Sequence, residues 1–357
     1  MTIRGLGLTV LGMALAVVGG LSGNAHAQSW AGGEAHEKAL TALYEEAVAA
    51  GETQVVTYGA YTISYKPLWD IFSKRFPKIA VVGNPISAAQ LLAKIQAEIT
   101  SGQRVVDVMT SGITDQLVAS AQGHTEKYQP PNAKDALAPE YIDPNGHFLL
   151  TFAGLVGIVH NLDKMPANDL PRTLRDLLDP KYKGMVIDDP LSGALTTLSW
   201  TELLHAGKID GAWMKAIRPN LTVVPTTAPY FANITTGSIA MMPFQTFNRY
   251  VRLKESGARV GFVDTPGLAT PVLSGMSVVK GAPHPKAARL LMAWFITPEA
   301  QNALGPLGAS YPVARGATVP KDWPSYKDIT AAVPITPITE YAKARTALEQ
   351  ALRANFK

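Results

Sequence analysis

The chain has 357 residues, 47 % of them hydrophobic, which is enough for two domains with sizeable cores. It contains 0 Cys, which excludes disulfides, thiolate metal sites, thiol nucleophiles and a lipid-bearing N-terminal Cys together. Its 32 basic residues are offset by 28 acidic ones and dispersed among them, with no basic cluster carrying interleaved aromatics, so nucleic acid is not an expected partner.

Residues 1–27 read as a secretory signal: Arg4 in a charged start, an apolar run over 6–21, and the small-x-small end Ala25-His26-Ala27. The competing reading, a membrane anchor, is opposed by four glycines and by a run shorter than the ~20 apolar residues of a span. The mature chain is therefore expected to begin at Gln28 and to reside in the periplasm.

After a helix over 34–50, strands are expected at 54–58, 79–83 and 105–109. They alternate with helices marked by Leu68, Phe72 and Phe76 and by Leu91, Leu92, Ile95 and Ile99. The pattern restarts with strands at 185–187, 221–224, 239–242 and 260–263 and a helix over 192–206 that stops at Gly207. Strand-helix alternation predicts an α/β fold of two lobes, each a mostly parallel sheet flanked by helices. Residues 148–161 and 264–280 read as passages between the lobes. Beyond them lie a helix carrying Leu290, Leu291, Trp294 and Phe295 and a second one opened by Thr297-Pro298. The expected division is 28–152 plus 270–357 for the first lobe and 153–269 for the second, with hinge crossings near 150–158 and 264–272.

In open α/β sheets, ligands bind beyond the carboxyl ends of strands, where helices begin. Four loops have this position: Tyr58-Gly59-Ala60-Tyr61-Thr62; Thr110-Ser111-Gly112; Asp188-Asp189-Pro190-Leu191-Ser192-Gly193-Ala194; and Thr226-Thr227-Ala228-Pro229-Tyr230. A glycine turn, a plain hydroxyl cap and a surface turn are the bland explanations of the first, second and fourth. Small residues at Ser192, Gly193 and Ala194 let an anion approach backbone N–H groups closely. Hydroxyls, phenols and amides with few carboxylates suit an oxyanion: phosphate ester, phosphonate or carboxylate. Arg249 and Arg315 could reach the cleft, although such side chains are more often solvated surface charges.

The stretch Asp189-Pro190-Leu191-Ser192-Gly193-Ala194, the strand over 157–161, the segment Ala-Ala-Arg-Leu-Leu-Met-Ala-Trp-Phe at 287–295 with Thr-Pro-Glu-Ala-Gln at 297–301, and Tyr311-Pro312-Val313 resemble the periplasmic solute-binding proteins of ATP-driven (ABC) importers. The branch resembled is that of the ferric-iron-binding proteins, which also includes receptors for thiamine, polyamines, phosphonates and sugar phosphates. The resemblance implies a type II periplasmic-binding-protein fold that closes on a small solute and is then recognised by an inner-membrane permease; we expect a monomer without cofactor. In the iron-binding branch two adjacent tyrosines hold the metal. The corresponding Met242-Pro243-Phe244-Gln245-Thr246-Phe247 has no such pair, and Tyr61 and Thr62 stand where a His is expected. Phe244, Gln245 and Thr246 therefore point to an organic solute, with ferric iron as the alternative. The rival class is a secreted hydrolase, for which no nucleophile elbow, zinc pair or phosphate loop is present. A receptor that signals through a chemosensor is a further possibility.

Overall fold

The computed structural model describes residues 33–59, 65–192 and 194–356. The signal segment, Tyr61, Thr62 and Gly193 thus lie outside the described residues.

The first half opens with α1 (Gly33–Ala49), β1 (Gln54–Tyr58), α2 (Lys66–Arg75), β2 (Ala80–Asn84), α3 (Ala88–Ser101), β3 (Val108–Gly112), α4 (Ile113–Ala121) and the short α5 (Ala133–Ala136). The long β4 (Leu149–Asn161) then leads to β5 (Met185–Asp188), α6 (Leu195–His205), α7 (Gly211–Ile217), β6 (Leu221–Val224), α8 (Phe231–Thr236), β7 (Met241–Thr246), α9 (Phe247–Glu255) and β8 (Val260–Val263). The chain returns through β9 (Thr270–Val278) to α10 (Pro285–Phe295), α11 (Pro298–Gly308), β10 (Tyr311–Pro312), α12 (Tyr326–Ala332) and α13 (Ile338–Asn355).

Parallel pairing holds within β1–β2, β1–β3 and β5–β6, as the alternation of strand and helix requires. The strands that run between these groups are antiparallel: β9 pairs with β3 and with β4, and β4 pairs with β7 and β8. The two expected passages are therefore a pair of neighbouring strands. Two strands begin two or three residues later than their sequence suggests. Val105 and Val106 donate their N–H groups to the Glu98 carboxylate (2.9 and 3.1 Å), which holds them off the sheet until β3 starts at Val108. Ile239 is turned back onto Asn233, and β7 runs from Met241 through a bulge at Phe244.

The first half is built around Trp69, Phe72, Trp294 and Phe295, with α1 and α2 facing α10 and α11. Burying each of these rings is worth roughly 1.5 to 3 kcal/mol. The second half centres on Trp200, Trp213 and Phe244, and α13 joins it: Tyr341, Leu348 and Leu352 pack in the same cluster as Trp200 and Met214. The expectation that all of 270–357 belongs with the first lobe is corrected for α13, because its apolar face is covered by α6 and α7. No helix among the described residues is long and apolar enough to cross a membrane.

Candidate functional site

The carboxyl ends of β1 and β3 in one half, and of β5, β6 and β7 in the other, lead into loops that open helices. At β1 the chain turns at Gly59, whose φ of 154° and whose position against the Thr110 carbonyl leave no room for a side chain: a Cβ there would lie 2.0 Å from that oxygen. Tyr58, just before it, faces the other way. Its buried hydroxyl donates to Glu98 Oε1 (2.6 Å), and burial with this carboxylate pushes the phenol pKa up. The expectation that Tyr58 contacts the solute is corrected: it is a core residue bonded to Glu98.

Thr110 is fully buried within β3. Ser111 is close enough to Asp115 to hydrogen-bond its carboxylate. Burial nevertheless dominates there and lifts that carboxyl to about 6. Gly112 is the N-cap of α4 and provides no capping side chain. A Cβ on Gly112 would sit 3.3 Å from Leu198 Cδ1 in α6, so the first turns of α4 and α6 are neighbours across the two halves.

The 188–194 loop is held by its own polar groups. Asp189 Oδ1 accepts the Leu191 N–H (2.9 Å), the Asp189 carbonyl accepts the Ser192 hydroxyl (2.7 Å), and the Pro190 carbonyl accepts the Thr197 hydroxyl (2.7 Å). Ser192 stands exposed and Ala194, the N-cap of α6, has no side chain to cap the helix. Asp188 is buried at the end of β5, where its Oδ1 accepts the Thr227 N–H (2.8 Å). Burial raises its pKa, while the Thr227 donors and the Arg249 charge act in the opposite direction. Thr227 is buried and donates its hydroxyl to Gln245 Oε1 (3.4 Å); Thr226 is exposed and accepts the Ala228 N–H (3.3 Å); Tyr230 is half-buried beside them.

In β7 the register against β4 shifts between Gly157 and Ile158, which leaves Phe244 as the extra residue with a φ of 58°. A bulky residue in the left-handed region is a strained arrangement that persists where surroundings over-determine it. Here the ring is clamped edge-on against Trp200 (5.7 Å) in the core, so Phe244 is not a wall of the site. The bulge re-aims its successor: Gln245 is buried, bonded to Pro243 and Thr227, and Thr246 becomes the N-cap of α9. In the first turn of α9, the Arg249 guanidinium lies over the Phe231 ring at 4.2 Å. Its neighbour Asn248 donates from Nδ2 to the Gly308 carbonyl of α11, a direct contact between the two halves. Arg315, by contrast, donates to the carbonyls of Lys134 and Asp135 and is not part of this constellation.

The structure thus brings together Ser111, Gly112, Ser192 and Ala194 around α4 and α6, and Thr226, Thr227, Tyr230, Gln245, Thr246 and Arg249 around α9. Asn248 carried no local signal, since its partner is far along the chain. Arg249 is three residues beyond an N-cap, where a basic group works against the helix dipole. Among the described residues no group of three His, Asp or Glu side chains is arranged to hold a metal ion.

The model of the family described as bacterial extracellular solute-binding protein matches residues 46–302. An uncharacterised protein of Haemophilus influenzae is 27 % identical over 237 residues, 63 % of this chain and 68 % of that one. Iron-bound HitA from Pseudomonas aeruginosa superposes with a TM-score of 0.70 at 19 % identity, over 84 % of this chain and 99 % of that one. AfuA from Actinobacillus pleuropneumoniae, a periplasmic binding protein holding fructose-6-phosphate, does so with a TM-score of 0.70 at 21 % identity, over 85 % and 98 %. The fold is that of the two-lobed periplasmic binding proteins. With its family model spanning more than half of the sequence, this chain belongs to the bacterial extracellular solute-binding proteins.

Proposed function

We propose that the chain is the periplasmic receptor of an ABC importer, exported by cleavage after Ala27, which captures a small anionic organic solute between its lobes and presents it to an inner-membrane permease. It acts as a monomer and catalyses no reaction on its solute. The observation that carries this reading is the uncapped start of three helices at strand ends. The N-caps of α4, α6 and α9 are Gly112, Ala194 and Thr246, none of which caps its helix through a side chain. First-turn N–H groups carry a partial positive charge and suit an oxyanion. Ser192, Thr226 and Tyr230 add hydroxyls beside them, and Arg249 adds a formal charge.

The lobes meet through β4 and β9, so bending of these two strands is the natural hinge. A solute touching Ser111 and Gly112 on one side and Ser192, Ala194 and Arg249 on the other binds the closed state more tightly and shifts the population towards it. X-ray scattering with and without saturating solute is expected to show a smaller radius of gyration in the bound state; superimposable curves would refute closure.

Native mass spectrometry of gently purified protein tests the solute class. A released phosphate ester, phosphonate or carboxylate is the expected result. Ferric iron is the second reading, favoured by the iron in the HitA structure. A visible phenolate-to-iron absorption on adding ferric salt would establish it and displace the organic anion.

A further inference from the structure

After β4 and β9 the chain crosses between the halves once more, to reach α13 on the second half. The near side of this crossing is fixed to the first half. Gln301 Oε1 accepts the N–H groups of Val313 and Ala314 (2.9 and 3.2 Å), and Asn302 Oδ1 accepts that of Thr318 (2.8 Å). Tyr311 of β10 then holds α12: its hydroxyl donates to the Pro324 carbonyl (3.1 Å) and its ring stacks on Tyr326 (5.3 Å). The far side is fixed to the second half. In the turn between α12 and α13, Thr336 donates both its N–H and its hydroxyl to Glu202 Oε2 (2.8 and 2.7 Å), half-way along α6. Between the crossing and residues 139–144 of the first half lies a groove of about 810 Å³, walled by Tyr141, Ile142, Tyr326, Ile335 and Ile338. The crossing is thus not packed solid there, and its polar hold across the hinge is Tyr311 at one end and Thr336 at the other.

Glu202 and Thr336 are both buried, and no cation among the described residues meets the carboxylate. The titratable groups facing it are the phenols of Tyr326 on α12 and Tyr341 on α13, each kept neutral by burial. His205, on the same helix, turns to Glu340 (3.7 Å); Arg345, a turn further along α13, acts on the Tyr341 phenol and is paired with Glu349 (3.2 Å).

A buried carboxyl with two donors on one oxygen is at ease while neutral; once ionised without a cation it gains by exposure to water. Burial lifts the Glu202 carboxyl to about 7, against the Thr336 donors. We propose that the Glu202–Thr336 clasp is a pH-sensitive latch: neutral, it ties the third crossing to α6 and holds the lobes together; ionised, it lets go and frees them to part. Helix α6 starts at the cleft, so the latch and the candidate site share one rigid element. The unliganded protein is therefore biased towards closure in acid and towards opening above neutral pH. The inference goes beyond the receptor reading and rests on it only in taking the two halves to move.

X-ray scattering of the unliganded mature chain from about pH 5 to about pH 9 tests it, comparing wild type with Glu202→Gln and Thr336→Val. Circular dichroism confirms at each pH that the protein stays folded. The wild-type radius of gyration is expected to rise as pH passes through about 7, by about 1 Å on the ~20 Å of a chain this size. Glu202→Gln, which keeps an acceptor for Thr336 but has no charge to gain, is expected to hold the smaller radius throughout. Thr336→Val loses the hydroxyl donor and is expected to show the larger radius already in acid. A wild-type radius that does not change with pH, or a rise that Glu202→Gln shares, overturns the latch. Should Glu202→Gln fail to fold, equal radii for wild type and Thr336→Val in acid overturn it instead. None of these outcomes touches the receptor reading, which stands or falls on the solute released and on the change in scattering when solute is added.

Discussion

Helices α10 and α11 begin inside the scaffold, and the protein itself meets their first-turn N–H groups. At α10, Asp107 accepts from the N–H of His284 (2.7 Å) and Glu52 from that of Ala287 (2.7 Å); at α11, the Thr297 hydroxyl accepts the Ala300 N–H (3.3 Å). Helices α4, α6 and α9 begin at strand ends facing the other half of the molecule, and their N-caps bring no such side chain. At α10 and α11 a carboxylate or hydroxyl is built in where the helix dipole wants negative charge; at α4, α6 and α9 the N-cap side chain leaves that position open. On the proposed function, stability rests on the first pair of helix ends and binding on the other three, and substitutions at each set should separate the two.

The largest expected effect lies at Asp107. It is fully buried and accepts from Val56 N–H (2.7 Å), His284 N–H and His284 Nδ1 (2.9 Å), so Asp107→Ala leaves several buried donors unpaired. A loss of about 3 to 5 kcal/mol in urea unfolding is expected. A loss below about 1 kcal/mol would break the distinction at its strongest point.

Next is Glu202, half-way along α6, where burial lifts the carboxyl to about 7 from 4.5 in spite of the Thr336 donors. A carboxyl whose pKa is raised on folding contributes stability that is fully present below the unfolded value and is lost as pH rises through the folded one. Wild type is expected to lose up to about 3 kcal/mol relative to Glu202→Gln between pH 4.5 and pH 8. Parallel stability curves for the two proteins across that range would show that Glu202 does not titrate in the native state. Smaller again is Thr297→Ala, which removes a cap bond and is expected to cost about 1 kcal/mol with solute affinity unchanged. Altered affinity would mean that scaffold helix ends are coupled to the cleft.

The scaffold was the more legible of the two regions. Thr297-Pro298 announces α11 because cap and first-turn proline are local to it, and Phe72, Phe76 and Trp294 mark core faces by helical period alone. Composition and spacing also located the strand-end loops. They could not give side-chain direction: Tyr58 and Phe244 look like site aromatics in sequence, yet one is turned to Glu98 and the other, through a bulge, to Trp200. The antiparallel strands β4 and β9 were legible as passages but not as partners, because their pairing joins residues more than a hundred positions apart. The Glu202–Thr336 pair was illegible for the same reason: only folding brings the two together.

The sharpest use of the contrast is to convert one kind of helix end into the other. Ala194 has the extended backbone of an N-cap (φ −77°, ψ −166°) but no group to accept from the first turn of α6. In Ala194→Asp the new carboxylate would occupy that position much as Asp107 and Glu52 do at α10. Replacing Ala by Asp at an N-cap is expected to stabilise the protein by about 0.5 to 1 kcal/mol. The same carboxylate would repel an oxyanion and take up its donors, so solute affinity should fall at least tenfold, measured by titration with whichever anion the wild type releases on denaturation. A more stable protein with unimpaired binding would place the solute elsewhere in the cleft. A protein that gains stability as it loses its solute would show that the open start of α6 is kept, at a cost in stability, because it is where the solute's charge is held.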